Sequence, residues 1–154
     1  MKKRTQNLGF TLIELLVVMT IIGIIAAVGI ANFTKASQSA RDARRKTDLE
    51  TVRQALVLYR TQNASYPAGS ANESSYNSAV STLSSGSYLS SPTPVDPRNK
   101  TNATGQTYSY RYEGAASTFC VCAVMEIPGN GNTADRNCSA LTNSGGAYYC
   151  VRHP

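Results

Sequence analysis

Apolar residues fill the chain almost without a break from Phe10 to Phe33. As a helix those 24 residues span about 36 Å at about 1.5 Å per residue, enough to cross the roughly 30 Å hydrocarbon core of a bilayer. After Thr34 the pattern changes. Apolar residues recur at Ala36, Ala40, Ala43, Leu49, Val52, Leu56 and Tyr59, with charges between them. Spacings of mostly three and four mark one face of a helix. Asp42 and Lys46 stand four apart, acid first, the favourable order for a helical pair. No proline or glycine interrupts Phe33 to Ala64. The two patterns therefore join into one predicted helix from Phe10 to about Arg60, about 75 Å long. Asn63, Ser65 and Pro67 end it, because proline cannot continue a helix and disfavours helix just before itself.

The stretch from Pro67 to Thr107 is rich in Ser, Asn, Pro and Gly and reads as loops, with one short helix near Tyr76–Leu83. Strand signals follow. Gln106 to Glu113 alternates, with Tyr108, Tyr110 and Tyr112 on one face as a half-buried row. Thr118 to Ile127 alternates again, grouping Phe119, Val121, Ala123, Met125 and Ile127, and Ala147 to Arg152 is a third strand. Three antiparallel strands packed on an amphipathic helix make an α+β head.

Charge sharpens this division. The formal net charge is +6, but it is unevenly placed. Lys2, Lys3 and Arg4 precede the apolar run, and Lys35 to Arg60 holds seven bases against three acids. Beyond Arg60, five bases meet five acids. The basic leader places residues before the run in the cytoplasm and sends everything after Phe33 outward. An ordinary secretory signal peptide, cut near Gly29-Ile30-Ala31, is the competing reading. Its apolar region would be about 7–15 residues long, shorter than this one, and would not contain Glu14. A carboxylate inside a membrane segment is costly and points to function.

The leader ending in Gly9, followed by Phe10 and then Thr11-Leu12-Ile13-Glu14-Leu15, closely resembles the N-terminal signature of type IV pilins and type II secretion pseudopilins. The resemblance implies a pilin-like fold and three regions: a leader over 1–9, a transmembrane and filament-core helix over 10–33, and an exported head over 34–154. It implies cleavage between Gly9 and Phe10 by a dedicated prepilin peptidase and N-methylation of the new Phe10 amine. Glu14 is then expected to pair with the Phe10 amine of a neighbouring subunit. Removing the leader leaves the mature chain at +3. Many family members carry proline where this chain has Ala31, so a straighter helix is expected here. The stretch LETVRQALVLYRTQNASYP resembles the helix end of the major pseudopilins, and YLSSPTPVDPRN with YSYRYEG resembles their loop and following strand. Those pseudopilins often hold calcium in a carboxylate-bearing loop. Calcium takes about 6–8 oxygen ligands, whereas Glu73, Asp96, Glu113, Glu126 and Asp135 are scattered singly along this sequence. No metal or other cofactor is expected.

Cys120, Cys122, Cys138 and Cys150 are the four cysteines. A zinc site usually shows paired C-x2-4-C spacings, and the one close pair here is C-x-C. Outside the membrane, disulfides form and persist. Cys120 and Cys122 share a strand face about 6.6 Å apart, a poor separation for bonding each other. Two cross-pairings remain, and the nested one, Cys120–Cys150 with Cys122–Cys138, is expected because an antiparallel return strand brings the later cysteine back to the earlier one.

No catalytic motif accompanies these features, and His153 reads as a solvated residue near the C-terminus. The chain is not expected to be an enzyme. Arg41, Arg44, Arg45 and Lys46 form a basic cluster, expected to face water, acidic lipid or a neighbouring subunit's acids rather than nucleic acid. Two functions remain. One is a structural subunit of a type IV pilus or secretion pseudopilus, anchored in the cytoplasmic membrane and then built into a periplasmic or extracellular filament. Its implied partners are other copies of itself, the prepilin peptidase, an inner-membrane assembly platform with its ATPase, and minor pilins. The other is a monomeric, membrane-anchored, exported binding domain.

Overall fold

The computed structural model describes residues 9–101, 105, 107–134, 138 and 146–153. Helix α1 (Leu12–Asn63) runs without interruption for 52 residues. Asn63 finishes it by donating from Nδ2 to the Tyr59 carbonyl at 2.9 Å. The next residue, Ala64, takes a left-handed φ of 60°, which stops helical propagation. The chain divides into two units, Met1–Ser37 and Gln38–Pro154.

In the first unit the large apolar side chains of α1 are exposed, from Leu12 at 82% to Phe33 at 74%. This stretch of α1 is long and apolar enough to cross a membrane, and its apolar part is not buried by the rest of the chain. Its hydroxyls do not spoil that surface. Thr20 donates to the Val17 carbonyl at 2.7 Å and Thr34 to the Ile30 carbonyl at 3.3 Å, so their polar atoms are satisfied within the helix.

The second unit is an α+β fold with a four-stranded antiparallel sheet in the order β1-β2-β3-β4. The strands are β1 (Gly69–Asn72), β2 (Arg111–Gly114), β3 (Phe119–Val124) and β4 (Tyr148–Arg152), with helix α2 (Glu73–Ser85) between β1 and β2. Asn72 caps α2, its Oδ1 accepting from the Ser75 amide at 2.7 Å. The core joins Leu49, Val52 and Leu56 of α1, Tyr76 and Leu83 of α2, and Tyr112, Phe119 and Val121 of the sheet. Every residue of β3 is buried. Phe119, Val121 and Ala123 face this core, while Cys120 and Cys122 enter a separate cluster of sulfurs.

Four differences from the sequence reading have physical causes. β1 was not expected, because Gly-Ser-Ala-Asn has no apolar alternation. It pairs by backbone beside Gly114, where a Cβ would lie 2.2 Å from the Pro67 carbonyl oxygen. The tyrosine row is not half-buried. Tyr108, Tyr110 and Tyr112 are all buried, because Tyr110 donates its hydroxyl to Asp48 at 2.7 Å and Tyr112 donates to the Pro67 carbonyl at 2.6 Å. The buried stripe of α1 below Leu49 does not run through Ala36, Ala40 and Ala43, which are exposed, but through Arg45 and Asp42. Asp42 accordingly pairs with Arg45 rather than with Lys46, and the surface pair spaced by four is Arg44–Asp48 at 3.9 Å.

Candidate functional site

Gly9 and Phe10 lie outside regular secondary structure immediately before α1, and Phe10 is 90% exposed. Thr11 caps the helix. Its hydroxyl accepts from the Glu14 amide at 3.3 Å, while Glu14 Oε2 accepts from the Thr11 amide at 2.9 Å and the Thr11 hydroxyl at 2.7 Å. This reciprocal arrangement is a capping box, readable in the sequence as Thr-x-x-Glu. The sequence reading gave Glu14 only an assembly role and missed it. The helix start is therefore fixed two residues beyond the Gly9–Phe10 bond. Both hydrogen bonds from Thr11 to the Glu14 carboxylate end on Oε2.

At the other unit a second polar site is built around Arg45, whose side chain is fully buried. Its Nε and Nη2 bind Asp96 Oδ2 and Oδ1 at 2.8 and 3.0 Å, and its Nη1 donates to Asp42 at 2.9 Å and Glu126 at 2.9 Å. Arg41 forks onto Glu126 with two bonds of 2.7 Å, and Arg98 adds a third cation at 3.2 Å. The Arg45 and Arg98 guanidiniums both lie over the Tyr108 ring, 5.1 and 4.9 Å from its centre. The carboxylates also hold backbone. Asp42 accepts from the Glu126 and Ile127 amides at 2.8 and 3.1 Å, and Asp96 accepts from the Arg98 and Asn99 amides at 2.9 and 3.3 Å. Three cations thus meet three carboxylates, and among the described residues no buried side-chain polar atom lacks a partner.

This cluster corrects two expectations. Arg45 does not face water or lipid, and Asp96 and Glu126 do not stand singly. Burial opposes the Arg45 charge, but the bonds to Asp96 and Glu126 outweigh it and the guanidinium is held protonated more firmly than usual. The Arg41 bond, with help from Arg45, pulls Glu126 from 4.5 down to about 2 against its burial. A depressed carboxylate stabilises the fold above its unfolded pKa and loses that contribution as pH falls through the folded value. Stability should therefore decline between about pH 4.5 and pH 2, by about 3 kcal/mol from Glu126. Acid titration of the folded chain by circular dichroism checks this. Glu126→Gln should be less stable at neutral pH and flatter across that window.

The sulfur cluster lies on the sheet face away from the core. Cys120 bonds Cys138 and Cys122 bonds Cys150, so the expected nested pairing is corrected. The cause is strand register. Cys122 stands directly opposite Cys150 with Cα atoms 4.1 Å apart, while Cys120 stands opposite Arg152. The Cys150 amide and carbonyl are turned to the Asn132 side chain, each bond 2.8 Å. Cys122 and Cys150 therefore form a close, non-hydrogen-bonded pair across β3–β4, the geometry that brings side chains nearest. Cys138 is left for Cys120.

The prokaryotic N-terminal methylation motif matches residues 4–30, over the Gly9–Glu14 junction. The family described as type II secretion system (T2SS), protein G matches residues 32–137. The chain belongs to the protein G family of type II secretion. Type II secretion system core protein G of Vibrio cholerae serotype O1 is 36% identical over 67 residues, covering 44% of this chain and 46% of that protein. The same-named protein of Escherichia coli K12 is 31% identical over 67 residues, with the same coverage. The type IV major pilin protein PilA of Myxococcus xanthus is 47% identical over 47 residues, 30% of this chain and 21% of that pilin. The chain thus spans less than half the length of these curated relatives. No solved structure matches it.

As a protein G family member the chain carries the match to the methylation motif as one contiguous stretch, whereas the Arg45 cluster is assembled from three distant segments. His153 is a further correction. It is half-buried rather than solvated, because its Nδ1 shares a hydrogen bond of 2.7 Å with the Tyr66 hydroxyl and Arg60 lies 3.1 Å from Nε2. No pattern near the C-terminus signals those contacts, since Tyr66 and Arg60 precede His153 by 87 and 93 residues.

Proposed function

We propose that this chain is a structural subunit that is cut between Gly9 and Phe10, methylated on Phe10 and polymerised into a filament. Residues 1–9 form the leader, 10–33 the membrane and filament-core helix, and 34–154 the exported head. The observation that carries this reading is the junction itself. An accessible Gly9–Phe10 bond precedes a capped helix whose apolar side chains are exposed from Leu12 to Phe33, about 32 Å at about 1.5 Å per residue, with Glu14 inside it. Such a surface needs lipid first and other copies afterwards. The protein G match favours a secretion pseudopilus over a surface pilus. Partners in this reading are further copies of the chain, a prepilin peptidase, an inner-membrane assembly platform with its ATPase, and minor pilins. The role is structural, not enzymatic.

Glu14 supplies register. The sequence offers no base between Phe10 and Thr34, so the cation nearest in sequence is the Phe10 ammonium freed by cleavage. A neighbouring subunit can bring that amine to the Glu14 carboxylate. The test of processing is an intact mass of the membrane-extracted protein. It should lack residues 1–9 and carry one added methyl group. Gly9→Val should accumulate as uncut precursor, still inserted, because insertion depends on the apolar run. A mature start at Asn32 would contradict the filament reading and restore the signal-peptide one.

A further inference from the structure

The two disulfides share one cluster but differ in access. Cys122 and Cys150 are 3% and 1% exposed and Cys120 is 8% exposed, whereas Cys138 is half-buried. Both members of the Cys120–Cys138 bond line an open cavity of about 860 Å³, together with Glu113, Thr118, Arg152 and His153. Neither Cys122 nor Cys150 lines it. A row of cross-strand partners frames the bond. Cys120 has Glu113 of β2 on one side and Arg152 of β4 on the other. Arg152 Nη1 reaches the Cys138 carbonyl at 3.5 Å, which sets a cation at the cavity mouth.

We propose that Cys120–Cys138 is a thiol-exchange site for an external dithiol and opens before Cys122–Cys150, whose Cys122 Sγ lies 3.4 Å from Cys120 Sγ. Exchange begins when a thiolate attacks one sulfur of a disulfide, so access and local charge set the rate. A thiolate of the dithiol, having given its proton to solvent, attacks Cys138 Sγ. The Cys138–Cys120 bond breaks and its electron pair leaves on Cys120 Sγ. The second thiol of the reagent loses its proton and attacks the reagent sulfur of the mixed disulfide, releasing Cys138 as a thiolate. Both cysteine thiolates take protons from solvent. The dithiol ends as a cyclic disulfide, oxidised by two electrons, and Cys120 and Cys138 end as thiols. Cys122–Cys150 remains as the staple between β3 and β4. The partner class is therefore a dithiol oxidoreductase or a small dithiol that fits the cavity. Arg152 favours the incoming thiolate and Glu113 opposes it. This inference goes beyond the filament reading and holds for the folded chain whether or not it polymerises.

The test uses the oxidised full chain in detergent, exposed briefly to dithiothreitol, quenched with acid, alkylated and mapped by peptide mass. Cys120 and Cys138 should take label on the order of tenfold faster than Cys122 and Cys150. Arg152→Gln should slow that first labelling severalfold and Glu113→Gln should speed it. Equal labelling of all four cysteines, or label on Cys122 and Cys150 first, overturns the proposal. Unchanged rates in both charge variants would place the attack away from this cavity and overturn it as well.

Discussion

Glu14→Ala should leave membrane insertion, Gly9–Phe10 cleavage and head stability unchanged while filament yield collapses. Insertion follows from the apolar run, and cleavage from the segment before the helix. The head is insulated by composition, since its core draws on residues from Leu49 onward. What the substitution removes is a carboxylate on an otherwise apolar surface. A contact repeated at every subunit of a helical assembly multiplies a small register loss, so the yield of sheared filaments should fall ~tenfold or more. Glu14→Gln separates two roles of this residue. Glutamine can accept from Thr11 as glutamate does and so keeps the capping box, but it carries no charge to pair with an ammonium. If the charge sets register, Glu14→Gln should fail almost as completely as Glu14→Ala, and Glu14→Asp should be milder. Wild-type yield from Glu14→Ala would remove the charge-pairing mechanism.

Arg45→Ala should destabilise the head more than any other single exposed-looking arginine in the sequence. Its removal strands Asp42, Asp96 and part of Glu126 in a buried site, and breaking a buried pair from one side typically costs about 3–5 kcal/mol. The effect is structural at two places, because Asp42 holds the chain leaving β3 and Asp96 holds the loop through Asn99. Thermal unfolding of the full chain in detergent should show a midpoint lowered by ~15 °C or more. Arg45→Met keeps much of the volume and should rescue little, since the carboxylates remain unpaired. Arg44→Ala, removing a largely exposed partner at 3.9 Å, should change stability by under ~1 kcal/mol. Equal effects at positions 44 and 45 would contradict the burial of Arg45.

These two sites also show what a sequence makes legible. The α1 helix, the apolar stripe from Leu49 to Leu56, the short helix after Pro67 and the strands around Phe119 and Tyr149 all follow from local periodicity, which short-range sterics and burial impose. The Gly9–Glu14 junction is legible because its elements are contiguous. Arg45 is not, because two of its three carboxylate partners lie 51 and 81 residues away and a charged residue on an apolar stripe looks like an interruption of it. β1 escaped because backbone pairing beside a glycine leaves no side-chain pattern. The disulfides were legible as a set and not as pairs. Pairing depends on the β3–β4 register, and a shift that moves Cys150 from opposite Cys122 to opposite Cys120 exchanges one answer for the other.

Filament formation by the processed chain is the centre of this account, and electron microscopy of cells that express it with its secretion machinery tests that most directly. The account predicts filaments that carry the chain along their length, labelled by antibody to the head and yielding on shearing a subunit that begins at Phe10. A chain cut at Gly9 that stays monomeric and evenly spread in the membrane, with no labelled filament, would contradict it and favour the anchored binding domain.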